Sequence, residues 1–277
     1  MSKVILIVCD ALRDDTAAQQ MGYLEHLVEV GRAHRYTVRA ELPTMSRPLY
    51  ETLHTGLPSS QHGITTNRVV RRSNAPNVFE SAVRHGRTTA ASAYFWYSEL
   101  YNRVPYDILT DREVDDPLLP IQHGRFYVTS DYPDAEVFAA AGTLVAKFYP
   151  DYLLIHPMAL DHLGETYGAD SSQYRNQATI QDQIMGYAVP KWLEVGYTVL
   201  VTADHGINND KMHGGTLPDV RHVPLYVIEA EGERAGRWAT PGPDLISQLQ
   251  IAPTLCTLLG LPVPQTMKQE SIVMPIA

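Results

Sequence analysis

The chain has 277 residues, with 22 Lys and Arg against 31 Asp and Glu, for a formal net charge of −9. That length can bury one large core or two small ones, and a hydrophobic share of 44% with 19% charged residues is ordinary for a globular protein. The negative balance argues against a nucleic-acid-binding surface, which needs clustered Lys and Arg; it leaves small phosphorylated ligands open, because a bound cation reverses the local sign.

Lys3–Cys9 (KVILIVC) is a continuous apolar run rich in β-branched residues. It reads as a parallel strand covered on both faces, with Asp10 at its C-terminal end. Helical patterns follow over Thr16–Glu29 and Pro48–His54, then a strand-like run over Thr88–Tyr94. The remaining elements are a helix over Ala135–Phe148, a strand over Tyr152–Ile155 and a helix over Ser172–Glu194. Strands over Tyr197–Thr202 and Val223–Ile228 and a helix over Pro243–Leu259 complete the chain. This alternation predicts an α/β domain: a mostly parallel sheet, helices on both faces and right-handed crossovers. Residues Tyr97–Pro133 break the rhythm, being rich in Asp, Pro and Tyr, and read as a small cap insertion over one sheet edge.

Cys9 and Cys256 both lie in apolar runs and read as buried thiols, with no disulfide framework. The N-terminal apolar run is short and acids follow at once, unlike a signal peptide. No stretch approaches the roughly 20 apolar residues of a membrane span. A cytoplasmic location is expected.

In an open α/β sheet, ligands bind beyond the C-terminal ends of the strands. Asp10, Asp161 and Asp204-His205 each fall at or near such an end. Asp204-His205 lies in VLVTADHGIN, and His213 follows eight residues later in MHGG. Carboxylate and imidazole together suit zinc, manganese or iron. Asp161 and Glu165, in LDHLGE, would share one helical face and could bind one ion, or could cap a helix as solvated acids. Ser46, in PTMSRP, precedes a helix whose first turn holds Pro48. A helix N-terminus favours an anion, so Ser46 reads as a nucleophile beside a phosphate, or as a plain cap.

The ordered set VCDALRDD, PTMSRP…TGLPSSQHGI, LDHLGE…YG, TADHG and MHGG resembles the alkaline phosphatase superfamily. It is most similar to the nucleotide pyrophosphatase/phosphodiesterase branch and to the catalytic domain of ethanolamine-phosphate transferases. VRHVPLYVIE and QIAPTLCTLLGLPVP extend the resemblance from Val4 to Pro264. It implies an alkaline phosphatase-like core and two divalent metal ions. Asp10, Ser46, Asp204 and His205 would hold one ion, and Asp161, Glu165 and His213 the other. That branch usually carries His where this chain has Glu165. A carboxylate there would tilt the preference from zinc toward manganese, iron or magnesium.

The branch also places an Asn three residues after the nucleophile, where this chain has Leu49. Arg47, Asn67 and Lys211 are the candidates to replace it on the phosphate. Phe95 and Trp96 would stack a nucleobase or aryl group, or pack a strand end. A sulfatase motif needs Arg where Tyr50 stands, which disfavours that chemistry. The expected activity is hydrolysis of small phosphate diesters, nucleotides among them, through a phosphoseryl intermediate on Ser46, with no nucleic-acid polymer as substrate. A phosphomonoesterase, a phosphonate hydrolase and a non-catalytic metal-binding relative are the alternatives.

Overall fold

The computed structural model describes residues 3–229, 238–240 and 245–273. Among them nine strands form one sheet: β1 (Lys3–Val8), β2 (Ala33–Arg39), β3 (Thr89–Tyr94), β4 (Glu113–Asp115), β5 (His123–Tyr127), β6 (Tyr152–Ile155), β7 (Tyr197–Thr202), β8 (His222–Ile228) and β9 (Ile246–Ser247). Their order is β4-β5-β3-β6-β1-β7-β8-β2-β9. The block β5-β3-β6-β1-β7 is parallel. β4 and β8 run antiparallel to it, β2 runs antiparallel to β8, and β9 is parallel to β2. Val4 through Val8 of β1 are wholly buried, as the unbroken apolar run requires of a strand covered on both faces.

Helices Asp134–Phe148, Ala159–Tyr167 and Ser172–Glu194 pack together on one face of the sheet. Helices Ser46–Thr55, Val78–Arg84 and Ile251–Leu259 cover the other. No helix among the described residues is long and apolar enough to cross a membrane.

The departures from expectation have local causes. β2 (AHRYTVR) has an interrupted apolar pattern, because one strand face is only partly covered. The helical run expected over Thr16–Glu29 is two helices, Asp14–Gln20 and Gly22–Glu29, joined at Met21. The last helix begins at Ile251, after a 3₁₀ turn over Gln248–Gln250; residues 243 and 244 of the expected span lie outside the described residues. Residues 97–133, where a cap over one sheet edge was expected, include two strands of the sheet itself. They build one edge of it by supplying β4 and β5.

Every residue of helix Ser46–Thr55 is buried, and its polar side chains are anchored inside the protein. His54 Nε2 lies 2.8 Å from the Tyr152 hydroxyl, Thr52 Oγ1 lies 3.1 Å from His62 Nε2, and the Tyr101 hydroxyl donates to Glu51 at 2.9 Å. Gly56 ends the helix at φ 62°, where an added Cβ would meet the Leu249 carbonyl at 3.2 Å.

Burial pushes the Glu51 carboxyl from 4.5 up to about 7, against the lowering effect of hydrogen bonds from Ser73 and Tyr101. The folded protein therefore holds this proton more tightly than the unfolded chain. The resulting stability is complete below about pH 4.5 and is lost as pH rises through about 7. It amounts to about 3 kcal/mol. Urea denaturation at pH 5 and pH 8 should show a fall in stability that Glu51→Gln reduces by that order.

Candidate metal centre

β1, β6 and β7 are neighbours and parallel, so the residues that follow them meet at one edge. Asp10 follows β1, His156 follows β6, and Asp204 and His205 follow β7. Ser46 is the first residue of its helix, one position further in than a cap. Its Oγ lies 3.2 Å from His205 Nε2. That nitrogen also lies 3.3 Å from Asp204 Oδ2 and 3.6 Å from Asp10 Oδ1.

Asp10, Asp204 and His205 offer ligand atoms all within 4.8 Å of one another, and so do Asp161, His205 and His213. The first group holds three of the four residues expected for one ion, Ser46 being the fourth. In the second, His205 stands where Glu165 was expected. Glu165 lies one turn beyond Asp161, toward solvent, with its side chain half-exposed. It reaches the centre through His213, with Oε1 at 3.2 Å from His213 Nε2. Asp161 is buried in the first turn of helix Ala159–Tyr167, not a solvated cap.

Donor chemistry fits a cation at this place. Asp10 Oδ1, Asp161 Oδ1 and Asp204 Oδ2 are buried without hydrogen-bond partners. His205 Nδ1 lies 3.0 Å from the Gly206 carbonyl, which accepts only, so the proton sits on Nδ1 and the Nε2 lone pair faces the carboxylates. His213 repeats this, with Nδ1 donating to the Thr44 carbonyl at 3.0 Å. Its Nε2 and Glu165 then need a proton or a cation between them. The two imidazoles stack at 4.3 Å between centroids.

The electrostatics agree. Burial, then the neighbouring Asp10, pushes Asp161 and Asp204 well above the usual carboxylate range. Burial pushes His205 down to about 3. Burial opposes the charge on His213 too, but the bond to Glu165 and the nearby Asp161 override it and raise the group to about 10. Asp10 is also penalised by burial, yet hydrogen bonding led by His156 brings it below its usual value. Buried carboxylates this close are costly without a counter-charge.

Glycines set the spacing. A Cβ on Gly164 would meet the Ile207 side chain at 2.8 Å, and one on Gly206 would meet the Asp219 carbonyl at 2.1 Å. The first brings the helix of Asp161 against the loop of His205, and the second seats that loop against the Asp219 backbone. Gly206→Ala must move backbone, so it should lower the melting temperature and weaken ion binding at least about 10-fold. Thermal denaturation with and without zinc or manganese checks both.

The other predicted residues are placed as follows. Asn67 sits beside the start of the Ser46 helix, its Oδ1 accepting from the Arg47 backbone N–H at 3.0 Å. The Arg47 side chain is buried, pairing with Glu99 at 2.7 Å and lying 4.5 Å over the Trp96 ring. Phe95 packs on Tyr94 and Tyr106. Lys211 is exposed two residues before His213, in left-handed backbone at φ 66°. Sequence reasoning missed His156 and Gln248. His156 Nε2 lies 3.1 Å from Asp10 Oδ2; Gln248 Nε2 donates to the Asp204 carbonyl at 2.6 Å. His156 directly follows a buried strand, the same signal that marks Asp10.

The family model described as type I phosphodiesterase/nucleotide pyrophosphatase matches residues 4–217. The chain belongs to this family. Among curated relatives of this phosphodiesterase-family chain, the catalytic subunit of GPI ethanolamine phosphate transferase 2 from Homo sapiens is 26% identical over 288 residues. That match covers 95% of this chain and 27% of the relative. GPI ethanolamine phosphate transferase 2 from Candida albicans is 24% identical over 281 residues, covering 95% of this chain and 30% of the relative. The chain thus spans less than a third of the length of either.

Solved structures share the fold. Human ectonucleotide pyrophosphatase/phosphodiesterase 5 superposes with a TM-score of 0.72 at 13% identity, covering 98% of this chain and 99% of that one. A phosphonate monoester hydrolase from Silicibacter pomeroyi gives 0.65 at 15% identity, covering 98% and 76%.

Proposed function

We propose that the protein is a metal-dependent phosphodiesterase that works through a phosphoseryl intermediate on Ser46. The observation that carries this reading is the convergence of Ser46 Oγ, the His205 Nε2 lone pair and the unpartnered oxygens of Asp10 and Asp204. Asp10, Asp204, His205 and Ser46 would hold one divalent ion; Asp161 and His213, braced by Glu165, would hold a second. Such ions supply a lowered pKa at the serine hydroxyl and positive charge for the phosphoryl oxygens. Mixed carboxylate and imidazole donors suit zinc, manganese or iron.

Ser46 Oγ attacks phosphorus and the bond to the leaving alcohol breaks, giving a phosphoseryl diester. An acceptor hydroxyl then attacks the same phosphorus and restores Ser46. The amide NH2 of Asn67 is a candidate donor for a phosphoryl oxygen, since Oδ1 accepts the Arg47 N–H. The Arg47 charge is balanced by the buried Glu99 carboxylate at 2.7 Å, which leaves little excess positive charge there for a dianionic monoester, although its Nε and Nη1 have no protein partner. That favours diesters, which carry one charge fewer. Phe95 and Trp96 act through packing, and Lys211 at the rim would steer an anion inward.

The transferase relatives favour a second reading of the last step, in which the acceptor is an alcohol and not water. Purified protein with zinc or manganese should cleave an aryl phosphate diester faster than the corresponding monoester or phosphonate. Mass spectrometry of a rapidly quenched reaction should find the adduct on Ser46. A monoester preference, or an adduct elsewhere, would overturn the reading. Adding alcohols of increasing concentration and measuring transfer product against hydrolysis separates the two acceptors.

A further inference from the structure

We infer that His156 and Tyr50 are positioning residues that turn Asp10 so that one carboxylate oxygen, Oδ1, faces the ion. This rests on the metal-dependent reading above. Two donors converge on Asp10 Oδ2: the Tyr50 hydroxyl and His156 Nε2, the latter at 3.1 Å. Asp10 Oδ1 has no partner and belongs to the group formed with Asp204 and His205. A carboxylate ligand only accepts, so Nε2 of His156 must carry a proton.

The far side of the imidazole is fixed too. His156 Nδ1 lies 3.0 Å from the Tyr127 hydroxyl, which lies 2.6 Å from the His156 carbonyl. Tyr50 and His156 also hold each other edge to face, with centroids 4.8 Å apart. All four side chains are buried, so water cannot replace a lost donor. With both donors on Oδ2, the carboxylate binds through one oxygen and keeps its plane. Losing either donor frees it to rotate or to bind through both oxygens.

Partners of this kind typically account for 10- to 100-fold in metal affinity. The test is calorimetric titration of the metal-free protein with zinc or manganese alone. His156→Phe keeps an aromatic ring and removes the donor; His156→Gln restores an N–H at a similar reach; Tyr50→Phe removes the other donor without changing shape. We expect about 10- to 100-fold weaker binding at one of two sites in His156→Phe and Tyr50→Phe, with the other site unchanged, and substantial recovery in His156→Gln. Unchanged affinity in Tyr50→Phe and in whichever His156 variant folds would overturn the inference. Equal weakening in His156→Phe and His156→Gln would also overturn it, since that marks a packing role. Failure of the parent protein to bind either ion would instead strike the metal-dependent reading.

Discussion

Ser46→Ala should lower turnover of a phosphate diester by at least about 10⁴-fold, the scale seen when an enzyme loses its nucleophile. It should retain most ion binding. Ser46 contributes one neutral oxygen to the centre, whereas Asp10, Asp204 and His205 contribute the charged oxygens and the imidazole lone pair. The substitution also leaves the fold little changed, because the helix is held by Glu51, Thr52 and His54 and not by a side-chain bond at its N-terminus. Steady-state rates and calorimetric ion titration on the same preparation check both halves. Undiminished turnover would remove Ser46 from the mechanism.

Asp204→Asn should raise the stability of the metal-free protein by roughly 1–3 kcal/mol, the range for relieving an uncompensated buried group, while abolishing most of the stabilisation by metal. Asp204 Oδ1 accepts the Ala11 N–H at 3.3 Å, and an Asn oxygen keeps that bond. The new amino group takes the place of the unpartnered Oδ2, close to the unpartnered Asp10 Oδ1. In the parent protein, burial raises Asp161 and Asp204. Their folded state thus holds protons that the unfolded chain has released, and metal-free stability falls as pH rises through their folded values. The variant should show a shallower fall. An ion at 100 times its Kd adds about 2.7 kcal/mol per site to the parent protein. Melting temperatures at several pH values, with and without zinc, would expose a variant that still gains as much as the parent.

Where one residue type dominates a strand, the fold was legible in the sequence. β1, β6 and β7 were readable because strands covered on both faces leave no room for polar interruption. Helix Ser172–Glu194 was readable from its long pattern, to the residue. β2 was not, since alternate positions of AHRYTVR are polar or half-exposed, and neither were the short β4 and β5, whose pairing depends on tertiary contact. In the centre, Asp10, Ser46, Asp161, Asp204, His205 and His213 were marked by strand ends and ordered motifs, and the structure brings them together. Glu165 shows where a helical-face argument stops: it establishes that two acids share a side, but not that the second is half-exposed and meets the centre through His213. Arg47 shows the same limit, because adjacency to Ser46 says nothing about Glu99 across the fold.

The burial gradient across the centre has a kinetic consequence. Asp10, Asp204 and His205 are sealed from solvent, while the His213–Glu165 pair opens onto it. An ion in the outer group could exchange directly with a chelator, whereas one in the inner group has to pass the outer group or wait for a local opening of the loop around His213. Removal of metal should therefore be biphasic, and the long residence of the inner ion would let a singly loaded protein persist and be isolated.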